Sequence, residues 1–376
     1  MLALALCASC AVVVGLEDKQ PYPSEPAETG APDVTEPDGN VPVPPPDGGA
    51  GGEIVAEDQK APYGIVVDEA FVYWTNETDG TVMRRVKTLA APAEKFVVEQ
   101  PQPQHMLLDN SYVYWSNNNS PKKALSDGGR EIPILLRASR GGAAPQVPNV
   151  ISRVNDLDRM TKRISLWNGT IPNDGGVDMV VFLAQKDETR RFARTGGGFA
   201  EVSQAPGPNH DYAAVTTDEL HAYYFDQTGN TLFRRHKLFD KQVPIAQEEP
   251  VATTPASVLI VDIGVDATNV YLVSQGGQVY VVPKVPDGGA ASATTLGAPV
   301  GAVVKSMLVT DTALFVTHWT AGADGEIVRM AKDGTSKVLA SGLSEPNEMF
   351  LDIENAKETI YWTNRADGTV RRLVVE

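Results

Sequence analysis

The stretch GIVVDEAFVYWTNETDGTVMRRVK, residues 64–87, decides the fold. It reads as a short apolar strand ending at Asp68, a turn, a strand carrying Tyr73-Trp74, a polar turn at Asp79-Gly80, and a strand bearing Arg84-Arg85. Along Phe71-Val72-Tyr73-Trp74 both strand faces are apolar, whereas a strand with one wet face alternates, so the segment is expected to be buried on two sides. Asp-Gly between two such runs is hairpin chemistry, because the turn needs positive φ that glycine adopts without strain.

The unit recurs along the chain. HMLLDNSYVYWSNNN begins at His105 and FLDIENAKETIYWTNRADGTVRRLVVE at Phe350, and weaker copies begin at Val180, Ala214, Gly264 and Met307. The first residues of the aromatic or apolar pairs are Tyr73, Tyr114, Phe182, Tyr224, Tyr271, Phe315 and Tyr361, in steps of 41, 68, 42, 47, 44 and 46. A period close to the roughly 40–45 residues of a four-stranded blade signals radial repetition. The expected fold is therefore all-β, a β-propeller of four-stranded blades. The count is seven, with six or eight as alternatives. The long step holds residues 120–133 and 155–176, read as insertions around the second and third blades; an eighth unit around residues 163–167 is the other reading.

An Asp recurs in the first hairpin turn at Asp68, Asp109, Asp218, Asp266, Asp311 and Asp352, and Arg pairs at Arg84-Arg85, Arg234-Arg235 and Arg371-Arg372 read as solvated outer strands. Residues 52–58 resemble the fourth strands at 94–100 and 336–342, while the last unit ends after its third strand. The N-terminal segment is thus expected to supply the outer strand of the last blade, with Ile54 and Val55 buried, and to remove an exposed edge.

Tyr73-Trp74-Thr75-Asn76, Tyr114-Trp115-Ser116-Asn117 and Tyr361-Trp362-Thr363-Asn364 resemble the YWTD repeats of low-density-lipoprotein-receptor-type propellers, with Asn in place of Asp. The wider unit is similar to NHL and SMP-30/gluconolactonase-like propellers and to bacterial envelope lipoproteins carrying such repeats. The resemblance implies the propeller fold; propellers host many functions.

With 32 Lys+Arg against 48 Asp+Glu, the 376-residue chain carries a formal charge of −16, which argues against a nucleic-acid binder. Residues 17–60 hold eleven acids and two lysines, a net of −9, which leaves −7 for residues 61–376. Nine prolines and six glycines in residues 17–52 mark a solvated linker. Residues 1–16 are uncharged and almost wholly apolar, too short to span a bilayer but suited to an export signal. Ala8-Ser9-Cys10 resembles a lipobox, in which Cys10 is the lipidation site. The expected organisation is an export signal over residues 1–10, a disordered linker over 11–52 and a propeller over 53–376. The protein is expected to be lipid-anchored in a bacterial cell envelope, or otherwise secreted, and to be a monomer that meets the membrane only through its anchor.

In an up-and-down blade, the turns between second and third strands share one face with the crossings to the next blade. That face gathers Tyr63, His105, His210, Asp211, Lys305, Asn347 and Glu348, together with loops including His318-Trp319. These are the ligand-face candidates, with Trp319 as the aromatic member. No P-loop, G-x-S-x-G elbow or H-E-x-x-H pattern is present, so no catalytic or metal residue is assigned. The expected function is a non-enzymatic binding scaffold, without cofactor, that presents this face to a protein or carbohydrate. The alternative is a metal-dependent hydrolase or lyase of SMP-30/gluconolactonase-like type at the channel mouth, where Glu348, Asp211 and Asp262 would supply carboxylates to a divalent metal.

Overall fold

A computed structural model describes residues 51–118, 123–124, 130–154, 161–171, 177–185, 189–193, 199–201, 210–236, 248–284, 290–301, 303–320 and 324–375. The apolar start with Cys10, and the linker up to residue 50, lie outside the described residues. The described strands form antiparallel sheets of four or five strands, seven among the described residues, in a β-propeller-like arrangement. The innermost strands are Pro62–Val67, Pro103–Leu108, Thr161–Ile171, Tyr212–Thr217, Ile260–Val265, Val304–Val309 and Pro346–Glu354. Each touches the innermost strands of the sheets before and after it, Pro346–Glu354 touching Pro62–Val67. All seven line one central cavity.

The two-faced apolar strands behave as their sequence dictates. Val72, Tyr73 and Trp74 are fully buried, as are Val113, Tyr114 and Trp115. They split between the clusters on either side of their sheet: Tyr73 packs with Met106 and Trp115, Trp74 with Val55 and Tyr361. Residues 163–167 are neither an insertion nor a separate unit. They belong to Thr161–Ile171, the inner strand paired with Val177–Gln185, and Arg130–Ser139 is likewise a strand rather than part of a loop. In the fourth sheet the strand register puts Tyr223, opposite Thr216, where the first sheet has Tyr73 opposite Val66. The pair there is Tyr223-Tyr224, one residue earlier than the sequence spacing suggested.

Three repeated devices explain the motif. The Thr of the Tyr-Trp-Thr-Asn run sews neighbouring sheets together. Thr75 accepts from Gly64 N–H and donates to Gln104 carbonyl at 2.8 Å, Thr317 donates to Asn347 carbonyl at 2.7 Å, and Thr363 donates to Tyr63 carbonyl at 2.6 Å. The Asn follows from its partner. Gln59 Oε1 accepts from both Trp74 Nε1 (2.9 Å) and Asn76 Nδ2 (3.0 Å), and Gln100 Oε1 does the same for Trp115 and Asn117. An ionised Asp has no proton to donate in that place.

The third device is the first-turn Asp. Asp266 Oδ1 accepts the Thr268 and Asn269 amides, an Asx turn, while Oδ2 accepts Tyr271 O–H at 2.7 Å and pairs with Lys332 of the next sheet at 2.9 Å. Asp68 with Arg140, Asp218 with Lys284, and Asp352 with Lys87 repeat the latch between sheets. In the sixth sheet the capping group is Thr310 Oγ1 rather than Asp311. The Arg pairs are not solvated either. Arg84 is buried, lies over the rings of Phe71 and Phe96 at 4.6 and 5.0 Å, and pairs with Glu94 at 2.6 Å.

Burial alone would raise the Asp266 pKa, but the Lys332 ammonium, the Thr268 and Asn269 amides and the Tyr271 hydroxyl outweigh it and hold the carboxyl at about 2. Burial costs the Lys332 ammonium more than pairing returns, so the gain sits on the carboxylate. A depressed carboxyl stabilises the fold fully above its unfolded value near pH 4 and loses that contribution as pH falls towards about 2. We expect Asp266→Asn to cost about 1 kcal/mol at pH 7 after solvent screening. The gap in melting temperature from the parent should close as pH is lowered from 5 towards 2; a gap independent of pH would contradict the latch.

The outer strand of the last sheet is Glu53–Ala56, paired antiparallel with Thr369–Val375. Val55 is fully buried there, but its neighbour Ile54 points outward, 37% exposed, since successive strand residues face opposite sides.

Candidate active site

The cavity along the axis measures about 470 Å³. Of the eight ligand-face candidates, only His105 and Glu348 line it. Their placement follows from register. Counting back four residues from the hairpin Asp or Thr gives Gly64, His105, Ala214, Asp262, Ser306 and Glu348 at one level of the inner strands. Gly64 separates the strand of Glu348 from that of His105 in the circuit of sheets, and its lack of a side chain is enforced: a Cβ there would lie 2.3 Å from Gln104 carbonyl and 2.8 Å from Met106 Cγ. Across this gap His105 Nδ1 hydrogen-bonds Glu348 Oε1. Both residues are buried, at 5% and 8% exposure.

Tyr63 stands edge-on to the His105 ring, with centroids 5.2 Å apart at 89°. Its carbonyl is held by Thr363 Oγ1 at 2.6 Å and by Asn347 Nδ2 at 3.4 Å. Tyr63, His105, Asn347 and Glu348 therefore form one cluster, with Glu348 orienting the imidazole through Nδ1.

The other candidates lie elsewhere. His210 Nδ1 is 2.8 Å from Asp226 Oδ2, and its ring stacks on Tyr212. Asp226 Oδ1 takes the amides of Asp211 and Thr228. Strand register puts Asp226 where Asn76 and Asn117 stand, so this pair occupies the place of the Gln–Asn caps. His318 occupies the same position in the sixth sheet. Its Nε2 lies 3.2 Å from a Glu326 oxygen, out of line for a hydrogen bond. Lys305 is exposed, and Trp319 ends the strand Ala313–Trp319 half-buried. His105–Glu348 differs from these pairs in lying on the inner strands and lining the cavity.

The carboxylates do not form a metal site. Asp262 Oδ1 and Oδ2 accept the amides of Ile263 (3.0 Å) and Met307 (2.9 Å), Glu348 is held by His105, and Asp211 sits beside His210. Among the described residues no three His, Cys, Asp or Glu side chains converge. Asp262 enters the sequence reading only as a carboxylate for a metal, and Ser306 at the same level not at all, because both lie inside strands rather than in loops. Aligning the copies on the hairpin Asp reveals the level from sequence alone.

No protein-family model matches the sequence, and no curated protein aligns with it significantly. Among solved structures, virginiamycin B lyase from Staphylococcus aureus is similar over 86% of this chain and 98% of its own, with a TM-score of 0.61 and 15% identity. A catalytically inactive histidine-to-alanine variant of that enzyme with quinupristin gives 0.58 and 16% over the same shares. A streptogramin B lyase gives 0.60 and 13%, over 86% of this chain and 97% of its own. Identity this low speaks to the fold alone.

The expectation of a non-enzymatic binding scaffold does not stand. Three histidines of the ligand face lie against carboxylates, and His105–Glu348 is buried on the channel, an arrangement a solvated binding rim does not need. The likeness is with the β-propeller fold of these lyase structures and not specifically with an envelope lipoprotein. In fold, the chain is similar to these lyases.

Proposed function

We propose that this protein is a lyase-type enzyme in which the sheets form one closed seven-bladed ring and the His105–Glu348 pair moves a proton at the upper end of the channel. The observation that carries the reading is that pair: a buried imidazole fixed through Nδ1 by a carboxylate, on the wall of the central cavity. Elimination needs a base that removes a proton beside the bond that breaks. Nε2 of an oriented imidazole suits that task, and the Glu348 carboxylate compensates the charge the ring acquires. Among the described residues, no three His, Cys, Asp or Glu side chains converge to hold a divalent metal beside the pair.

Quinupristin, bound by the similar lyase variant, is the first substrate to try. The purified chain is expected to convert it to a product of unchanged mass, as an elimination that opens a ring adds no water. A gain of one water would identify a hydrolase. Quinupristin left intact, together with an equally inert panel of other ring-closed esters, would sink the lyase reading.

The export signal, the linker and the Cys10 anchor complete the proposal: a ring tethered in a bacterial envelope, meeting the membrane only through its lipid. Labelled palmitate is expected to enter the parent chain and not Cys10→Ala; equal labelling of both would contradict the anchor.

A further inference from the structure

Two residues below His105 and Glu348 on the inner strands lies the waist of the channel. Here each strand contributes the residue paired with the first member of its aromatic or apolar pair. Val66, Leu107, Leu308 and Phe350 come from four successive sheets, the sixth, seventh, first and second around the circuit. Ser165, Thr216 and Gly264 come from the other three. All seven line the cavity. One wall is therefore broad and apolar and runs beneath the dyad, while the facing wall is built from the smallest side chains at this level. The free volume lies between them.

The described ionisable lining is mostly acidic. Asp262, Asp311, Glu348 and Glu358 are its ionisable lining besides His105, and no Lys or Arg is among the described lining residues. The two upper carboxylates are already engaged, Glu348 by His105 and Asp262 by two backbone amides. They disfavour an anion in the channel without presenting a fresh ion-pairing partner to a cation. The cavity's 470 Å³ falls in the ~300–1,000 Å³ range of small-molecule sites, and several times the ~150 Å³ that suffices for a benzene-sized guest.

We infer that the channel waist is a subsite for an uncharged, flat apolar group of the substrate, an aromatic ring lying against Leu308 and Phe350 with its other edge over Thr216 and Gly264. The inference rests on the catalytic reading for calling the guest part of a substrate, but the subsite itself stands on the cavity alone. A ring seated there places the atoms joined to it at the level of His105, so occupancy of the waist selects which bond meets the imidazole.

Benzyl alcohol is the probe, followed by calorimetry and saturation-transfer NMR with the full chain. Saturable binding of one molecule per chain is expected. Thr216→Phe fills the space and should weaken it by about tenfold or more, a loss of about 1.4 kcal/mol. Thr216→Val, of equal size, should bind as the parent does, and matching melting curves for the two variants exclude misfolding. Where Thr216→Phe fails to fold, Thr216→Leu takes its place. Benzoate should bind at least tenfold more weakly than benzyl alcohol. Unsaturable binding, binding indifferent to Thr216→Phe or Thr216→Leu, or benzoate bound as well as benzyl alcohol would each overturn the inference. His105→Gln separates it from the catalytic reading: it should keep benzyl alcohol and lose turnover. Benzyl alcohol retained with turnover also retained would refute the dyad and leave the subsite standing.

Discussion

A chain lacking residues 53–58 melts roughly 5–10 °C below the parent, a loss of about 3–5 kcal/mol. Val55 contributes most, since it is fully buried against Trp74, Tyr361 and Val370, and a side chain of that size gains about 1.5–3 kcal/mol on burial. Ala56 is buried beside it. Three arginines also lose partners: Arg372 its pair with Glu53 at 2.7 Å, and Arg85 the carbonyl of Val55, while Arg371 is held to Gly51 carbonyl at 3.0 Å only as long as the strand is docked. The entry to the strand is just as particular. Gly52 has φ of +72°, and a Cβ there would stand 2.4 Å from the Trp362 ring and 2.7 Å from Arg372 carbonyl.

Thr369–Val375 would also be left with bare amides and carbonyls, an open edge that recruits other chains, so the deleted protein should aggregate on heating where the parent refolds. Ile54→Ser, by contrast, should leave melting almost unchanged, because Ile54 points outward. A deletion that melts with the parent would show that Thr363 to Tyr63 and Lys87 to Asp352 hold the first and last sheets together unaided.

Much of the fold is legible in the sequence because its determinants are local. Two-faced apolar strands, Asp-Gly turns and the first-turn Asp each act within a few residues, so their period exposes the blade. What the sequence hides is set by register and by partners in other sheets. Tyr224 reads as the leading aromatic of its unit until the pairing of Thr216 with Tyr223 shows otherwise. Arg84 and Arg235 look like solvent-facing charges, yet both are buried, Arg84 over the rings of Phe71 and Phe96 and beside Glu94. His105 and Glu348 are 243 residues apart, and nothing near either one announces the other. They were legible as members of one face, but their contact depends on Gly64 between them, a residue that carries no chemistry and is read as a turn or packing glycine.

That contact sets the second large effect. His105→Gln is expected to reduce kcat/KM by roughly 10²–10⁴-fold, the usual range for loss of a general base. Glutamine is the informative replacement. Its amide N–H still reaches towards Glu348, so the buried carboxylate keeps that donor, whereas His105→Ala would remove it, leave a cavity and confuse catalysis with folding. Glu348→Gln leaves an imidazole that is no longer compensated when it takes up a proton, and should lose about 10–100-fold. If the two residues act as one unit, the double variant is no worse than His105→Gln alone, because a carboxylate that acts only through the imidazole has nothing left to do. A purely structural tie between the second and last sheets behaves differently: melting temperature would fall with each variant while the rate per folded molecule held steady. Normal melting with turnover lost in His105→Gln is the result that assigns proton transfer to this ring, and full turnover in His105→Gln is the one that removes it.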